Sequence, residues 1–586
     1  MDALAPSSIG PSASQQEHSS PQHGAVTRSA KPSPGVESRF WSRVALTLVI
    51  VGGALPRLNH IGKSIWSAEA WVANSALADS LGHMFHYEPW LQTTPPLFLL
   101  LVRGTVHLTG VSVASFRAVP FGLSILSLIL MARLSRLTLR TTFAVICTTL
   151  VALSPPAVVF SKEVKQYSGD VAASCLLLLF VWRYLDLPDR RRYICLLAIS
   201  AVALFLSYPA VSFLPAAITI VAVVEPKLAA GHSNIRRARI ERVSILAALA
   251  AAICSVNYWF LVKPNSSPLL TDYWSYGYPR FGSFTEIAHF YVQYFLGMGV
   301  YFYLPLGTKD LFKAMLSSVG RFPLLLIAIA IIAGVGFAVA SLRRNRRHLQ
   351  ALTLCFMPLI TLAVLNLLRL YPVNSRRLTL FMLPCISLAV AIVMQNLWDA
   401  LWNAFQYRIA PLFSGLVTLS CIFIVFFAGL HSDRWSNYWF EDEDTGGTFR
   451  YLRSHLAPQD TIYVHASIAE PAKLYLRILH WEPSDLRYGN TGWGCCPRHP
   501  EPGPEDENSK RDYVIRDFER VMGQKRSGRI WLVFTARAEH WSDLGRDEPQ
   551  IIANYLHGIG CRSQSEKRFA YEALDEFVCG QTNSTP

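Results

Sequence analysis

The sequence predicts a polytopic α-helical membrane protein, with about 11 transmembrane helices and a C-terminal extracytoplasmic α/β domain. Three observations carry this. Of 586 residues, 52% are hydrophobic and 16% charged, against about 25% charged in ordinary soluble domains. Apolar runs approaching or exceeding the roughly 20 residues that span a bilayer recur between residues 40 and 430. The more polar remainder alternates strand-like and helix-like segments.

Taken in order, residues 1–39 are rich in Ser, Pro, Gln and His without periodicity, which predicts a disordered cytoplasmic tail. The run from Val44 lies too deep for a cleaved signal peptide and has no small-residue cleavage pattern, so it is expected to remain as an anchor. Runs begin near 41, 118, 142, 170, 193, 210, 243, 321, 350, 378 and 410. The formal charge of +14 does not indicate nucleic acid, because the basic residues cluster between these runs, as in "RLSRLTLR", "DRRRY", "NIRRARIERV" and "LRRNRRH". Such clusters mark cytoplasmic loops.

"PPLFLLLVRGTVHLTG" is short, opens on two prolines and contains Arg103 and His107. It is read as an interfacial helix, because a crossing there would turn every later basic cluster outward. The same parity keeps the aromatic run at 285–305 outside. The segments 60–117, 160–170, 263–320 and 369–377 then share the outer side with everything after about 431. Residues 40–430 form the transmembrane module and 431–586 the external domain.

Seven of the eleven cysteines lie in apolar runs, where a buried thiol acts as a small hydrophobe. Cys495, Cys496, Cys561 and Cys579 fall in the external domain, where disulfides are expected, either between the two pairs or within one. No CxxC spacing suggests zinc. Strand-then-helix is read in "TIYVHASIAEPAKLYL", a strand in "GRIWLVFT", a helix in "EPQIIANYLHGIGC" and a strand in "FAYEALDEFVC". This domain has no phosphate loop and no nucleophile elbow, so it is expected to bind or cover.

Charge at the outer ends is the chemical signal. In "SIWSAEAW", Glu69 begins the polar stripe of an amphipathic surface helix with Asn74 and Asp79, and a carboxylate there can serve as a base. "FSKEVKQYSGD" supplies Glu163, Lys165 and Tyr167, with Asp170 read either as an N-cap or as functional. Arg369, Arg376 and Arg377 in "RLYPVNSRRLTLF" stand against the positive-inside bias, and Arg117 opens the second span. Guanidinium groups pair bidentately with phosphate, although snorkelling to headgroups gives the same pattern.

The order of "SIWSAEAW", "TTPPLFLLL", "GVSVASFRAVP", "SPPAVVFSKEVKQYSGD" and "RRLTLFMLP" resembles the GT-C class of membrane glycosyltransferases. The nearest resemblance is to the family of protein O-mannosyltransferases and the lipid A aminoarabinose transferase, over roughly residues 40–430. It implies an inverting glycosyltransferase in a bacterial inner membrane, moving a sugar from a polyprenyl-phosphate donor to an acceptor hydroxyl of a glycan, lipid or protein at the outer face. The family's first loop typically reads Asp-Glu; here Ala68 takes the Asp position and Glu69 the other, while Thr94 stands where some members have a basic residue. The resemblance implies Glu69 and Glu163 as candidate bases, and Arg117, Lys165, Tyr167, Arg376 and Arg377 as substrate and phosphate ligands. It implies no cofactor; a divalent metal is compatible but not required. A flippase of lipid-linked glycan would instead put charge at mid-membrane, and Ala68 leaves a non-catalytic scaffold as the other alternative.

Overall fold

The computed structural model describes residues 36–87, 93–224, 234–266, 274–303, 346–373, 376–405, 410–431, 444–490, 506–523, 528–535, 548–569 and 572–580. Val44 to Pro586 form one compact unit.

Eleven helices run from α1 (Val36–Leu58) through α2 (Ser67–Ala76), α3 (Leu81–Phe85), α4 (Pro96–Thr109), α5 (Val113–Thr138), α6 (Thr141–Ala152), α7 (Pro155–Val159), α8 (Tyr167–Asp186), α9 (Arg190–Leu206) and α10 (Leu214–Val223) to α11 (Ile235–Asn257). Helices Phe284–Tyr303, Arg346–Leu367, Leu383–Phe405 and Ala410–Leu430 follow. Polar residues set the starts. Ser112 accepts the Ser115 amide at the head of α5, and Asp189 accepts that of Arg192 at the head of α9, as N-caps should. Pro155 and Pro156 open α7, where a missing N–H costs nothing.

Among the described residues, seven helices are long and apolar enough to cross a membrane. The runs near 142, 193 and 210 form α6, α9 and α10 with 12, 17 and 10 residues, and the run near 321 lies outside the described residues. "PPLFLLLVRGTVHLTG" is helical as α4, with Leu100, Leu101 and Leu108 exposed.

Two ends of the bundle differ in chemistry. At one, Arg140 pairs with Asp399 at 2.6 Å, Arg347 with Asp186 at 3.3 Å, and His348 Nδ1 meets Asn396 Oδ1 at 3.0 Å. These contacts gather the α5–α6 and α8–α9 turns with the basic start of Arg346–Leu367. At the other end meet the α1–α2 connection, the heads of α5 and α8, and the turn before Leu383.

The C-terminal domain is a five-stranded sheet in the order β2-β1-β3-β5-β4. Strands β1 (Thr461–Val464), β2 (Leu486–Tyr488) and β3 (Gly528–Thr535) are parallel, and β5 (Glu572–Cys579) runs antiparallel to β3 and to the edge strand β4 (Cys561–Phe569). Helices Thr445–His455, Ala469–Ile478, Glu507–Met522 and Glu548–Gly558 cover it. The expected strand, helix and α/β pattern is therefore present. A disulfide joins Cys561 to Cys579, the paired ends of β4 and β5; Cys495 and Cys496 lie outside the described residues.

The reading of α2 as a solvated amphipathic surface helix is corrected. It ends at Ala76, and Glu69 and Asn74 are buried at 0% and 3% exposure. Helix Ala469–Ile478 of the C-terminal domain covers it: Asn74 Nδ2 donates to the Glu470 carbonyl at 3.0 Å and to its carboxylate at 2.9 Å. Only Asp79, beyond the helix, is exposed.

Candidate active site

The site begins at a break in the chain. Between α1 and α2 the backbone leaves helical geometry at residues 59–66, with His60 at φ 58°. Carbonyls freed at a membrane edge need donors, and cations supply them both here and at the end of α6. Arg57 donates to Gly53 O (2.6 Å), Ala152 O (2.7 Å) and Val151 O (3.2 Å), tying the end of α1 to the end of α6. Lys162 reaches Asn59 O at 3.1 Å and Pro56 O at 3.5 Å. Arg117 reaches Ile61 O, Lys63 O and Ser64 O at 2.9, 2.8 and 3.0 Å.

Arg117 also binds Glu69, its Nη2 to Oε2 at 2.9 Å and its Nε to Oε1 at 3.4 Å. Both side chains are buried. Glu69, third residue of α2, accepts the Trp66 amide at 3.3 Å, as a capping carboxylate does. It further accepts the Val164 amide at 2.7 Å, which locks the α7–α8 turn onto α2. This geometry bears on two sequence expectations. Both oxygens of Glu69 are committed to Arg117 and the backbone, so it is poorly placed to take a proton from an acceptor. All donor positions of Arg117 are likewise taken up by Glu69 and carbonyls, so it is poorly placed to hold a phosphate. The pair positions the turn that follows.

That turn carries Glu163 and Lys165. Ser168 Oγ donates to Phe160 O at 3.0 Å, and the Lys165 amide to Glu163 O at 2.7 Å, which closes residues 160–168. The Glu163 side chain is 8% exposed, and no hydrogen bond or ion pair to it is found among the described residues. Burial pushes its carboxyl up to about 8, helped by the negative charge of Glu69 and opposed by Arg377, Lys165 and Arg117. Burial and the Arg377 charge lower the Lys165 ammonium to about 7. Lys165 Nζ sits 5.5 Å from the centre of the Trp71 ring, and the Arg377 guanidinium 5.1 Å from that of Trp274. Tyr167 is buried edge-on to Phe160, at 4.9 Å between ring centres. Arg376 begins the helix Arg376–Thr379, and its side chain lies outside the described residues. The structure thus brings Glu69, Arg117, Glu163, Lys165, Tyr167 and Arg377 to one end of the bundle.

Sequence reasoning missed the role of the C-terminal domain in building this site. Ser64 Oγ donates to Asp444 at 2.6 Å, the Ile65 amide to the Tyr475 hydroxyl at 2.6 Å, and Tyr87 to Glu470 at 2.5 Å. Glu470 also accepts Lys473 at 2.6 Å. The domain therefore grips both sides of α2. The acid in "IAEPAKLYL" was visible, but nothing local pairs it with residues 396 positions earlier.

Residues 93–260 match the sequence profile of a family described as dolichyl-phosphate-mannose-protein mannosyltransferase. No curated protein matches the chain in sequence. Two solved structures of ArnT from Cupriavidus metallidurans resemble it. The apo form aligns with a TM-score of 0.52 at 12% identity, over 92% of this chain and 98% of that one. The form bound to undecaprenyl phosphate aligns at 0.49 and 12%, over 93% and 98%. At such identity the apo likeness is one of fold. The chain is thus a membrane protein with the fold of ArnT whose residues 93–260 match the dolichyl-phosphate-mannose-protein mannosyltransferase profile, a resemblance to the GT-C glycosyltransferases.

Proposed function

We propose that this protein transfers a glycosyl group from a polyprenyl-phosphate donor to an acceptor hydroxyl at the outer face of the membrane. The observation that carries the reading is Glu163: a buried carboxylate without a hydrogen bond among the described residues, flanked by Lys165 and Arg377. The family profile, which names a lipid-phosphate-linked sugar, supports the donor class. The basic clusters at the opposite end of the bundle support an outer location for the site.

In the proposed step Glu163 takes the proton of the acceptor hydroxyl as its oxygen attacks the anomeric carbon. The bond from that carbon to the phosphate oxygen breaks on the opposite face, and the lipid phosphate leaves with the electron pair. Inversion follows from this single displacement. Lys165 and Arg377 stabilise the charge gathering on the phosphate, and an acid near 8 matches a base needed close to neutral pH. Glu69 and Arg117 hold the turn.

The test incubates purified protein with undecaprenyl phosphates carrying different sugars, plus a membrane extract as acceptor, and measures release of free lipid phosphate. At least one donor should be consumed, and Glu163→Gln should slow release by about 100- to 10,000-fold while retaining donor binding. No release with any donor would overturn the reading.

A further inference from the structure

Asp170 has no part in the chemistry above. It is not an N-cap, since Gln166 holds that position and Asp170 is the fourth residue of α8. Its side chain is 4% exposed, and its Oδ1 has no hydrogen bond. Ser207, at the end of α9, brings a fully buried Oγ within hydrogen-bonding reach of that carboxyl, and the Oγ has no other partner among the described residues. Gln166, one turn earlier on the same face of α8, has a buried Oε1 without a hydrogen bond. Three buried oxygens from two helices thus gather with no partner beyond one another among the described residues, an arrangement that folding alone disfavours.

Tyrosines surround this spot. Burial raises the Tyr371 hydroxyl well above its ordinary range, and Asp170, Tyr294, Tyr167 and Tyr278 add to the effect from close by. The Tyr371 hydroxyl itself donates to Leu378 O at 2.8 Å, which fixes the ring. The turn bearing Tyr278 packs closely: a Cβ on Gly277 would lie 2.6 Å from Pro372 Cβ. Buried acceptors among aromatic faces match a compact ligand that is rich in hydroxyl donors and has an apolar ring face.

We propose that Asp170, Ser207 and Gln166, walled by Tyr167, Tyr294 and Tyr371, form the subsite for the donor's glycosyl group, with Asp170 accepting hydrogen bonds from its hydroxyls. The inference rests on the glycosyl-transfer reading and deepens it. Asp170 follows Lys165 along the same segment, and Gln166 to Asp170 spans roughly 6 Å of helix. A phosphate held at Lys165 therefore leaves its sugar beside this face. None of the three side chains is a cation, so a uronate carboxylate would be buried there unpaired, and neutral or amino sugars are favoured.

The test titrates full-length protein in nanodiscs with undecaprenyl phosphate alone and with the same lipid carrying glucose, mannose, arabinose or glucuronate, read by tryptophan fluorescence. Wild type should bind one neutral-sugar lipid at least about tenfold more tightly than the bare lipid, and glucuronate no more tightly. Asp170→Asn should lose that increment while its affinity for bare lipid phosphate stays unchanged. Ser207→Ala, a smaller change, should lose part of it. Retention of the increment in both variants overturns the subsite, and so does a wild type that shows no increment for any sugar. If wild type binds neither bare nor sugar-bearing lipid, the transferase reading fails. Methyl glycosides then decide the subsite by the same readout: a wild-type response lost in Asp170→Asn supports it, and no response overturns it.

Discussion

The buried Glu69–Arg117 pair allows a sharp test of whether Glu69 positions or reacts. At 2.9 Å and an effective dielectric constant of about 20, the Coulomb attraction is roughly 6 kcal/mol before desolvation is counted. Glu69→Gln removes the charge, keeps the shape and turns an amide N–H toward the guanidinium. Arg117 is then left as an uncompensated buried cation, at a cost of about 3–5 kcal/mol. Arg117→Met strands Glu69 in the same way and also frees three carbonyls. The double variant removes both charges together, so its cost should fall about 2–3 kcal/mol short of the sum of the singles. Unfolding free energies from SDS titration in mixed micelles measure the cycle. Additive costs, within about 0.5 kcal/mol, would refute the pairing argument. A Glu69→Gln protein with wild-type stability and donor affinity but turnover reduced about 100-fold would refute the positioning role and make Glu69 the base.

The opposed shifts of Glu163 and Lys165 predict a pH profile. The active form needs Glu163 ionised and Lys165 protonated, so with values of about 8 and about 7 kcat/KM should rise toward pH 7, level off to 8 and fall above it. Lys165→Arg keeps its charge throughout, so the falling limb should vanish; its persistence would show that another group sets it. Tyr475→Phe removes the oxygen that accepts the Ile65 amide, so hydrogen exchange at Ile65 should quicken by about 5- to 10-fold, the worth of one hydrogen bond. Unchanged exchange would mean that the C-terminal domain does not hold the α1–α2 connection.

How far the fold was legible depended on whether each segment's pattern is local. The long apolar runs declare themselves by composition, and β1 and β3 by β-branched and aromatic content. β4 escaped notice because it is an edge strand with alternating Ser, Glu, Lys and Arg, mostly exposed along its length; such charge protects an edge and erases the usual hydrophobic signal. Helix Glu507–Met522 did carry a signal, with Val514, Phe518 and Met522 buried at intervals of four, half hidden among charges. The polar stripe of α2 misled for a physical reason: Glu69 and Asn74 read alike whether they meet water or a polar protein surface. Pairing at a distance, as between Asn74 and Glu470, has no local trace at all.

The cations show the same limit from the other side. Sequence position marks which basic residues lie at the end that carries Glu163, but not which of them the backbone claims. The α1–α2 connection leaves carbonyls at a depth where water does not reliably serve them, and a guanidinium or ammonium from a neighbouring helix is the strongest donor available. Lys162 and Arg117 are held in that way, and their positive charge stabilises a chain break that regular helix would not need; Arg57 does the same for the carbonyls at the end of α6. Lys165 and Arg377 differ, since they rest against the faces of Trp71 and Trp274 and act on Glu163 across the site. Lys162 and Arg117 are thus spent on the backbone of the α1–α2 connection, whereas Lys165 and Arg377 bear on the Glu163 carboxyl itself.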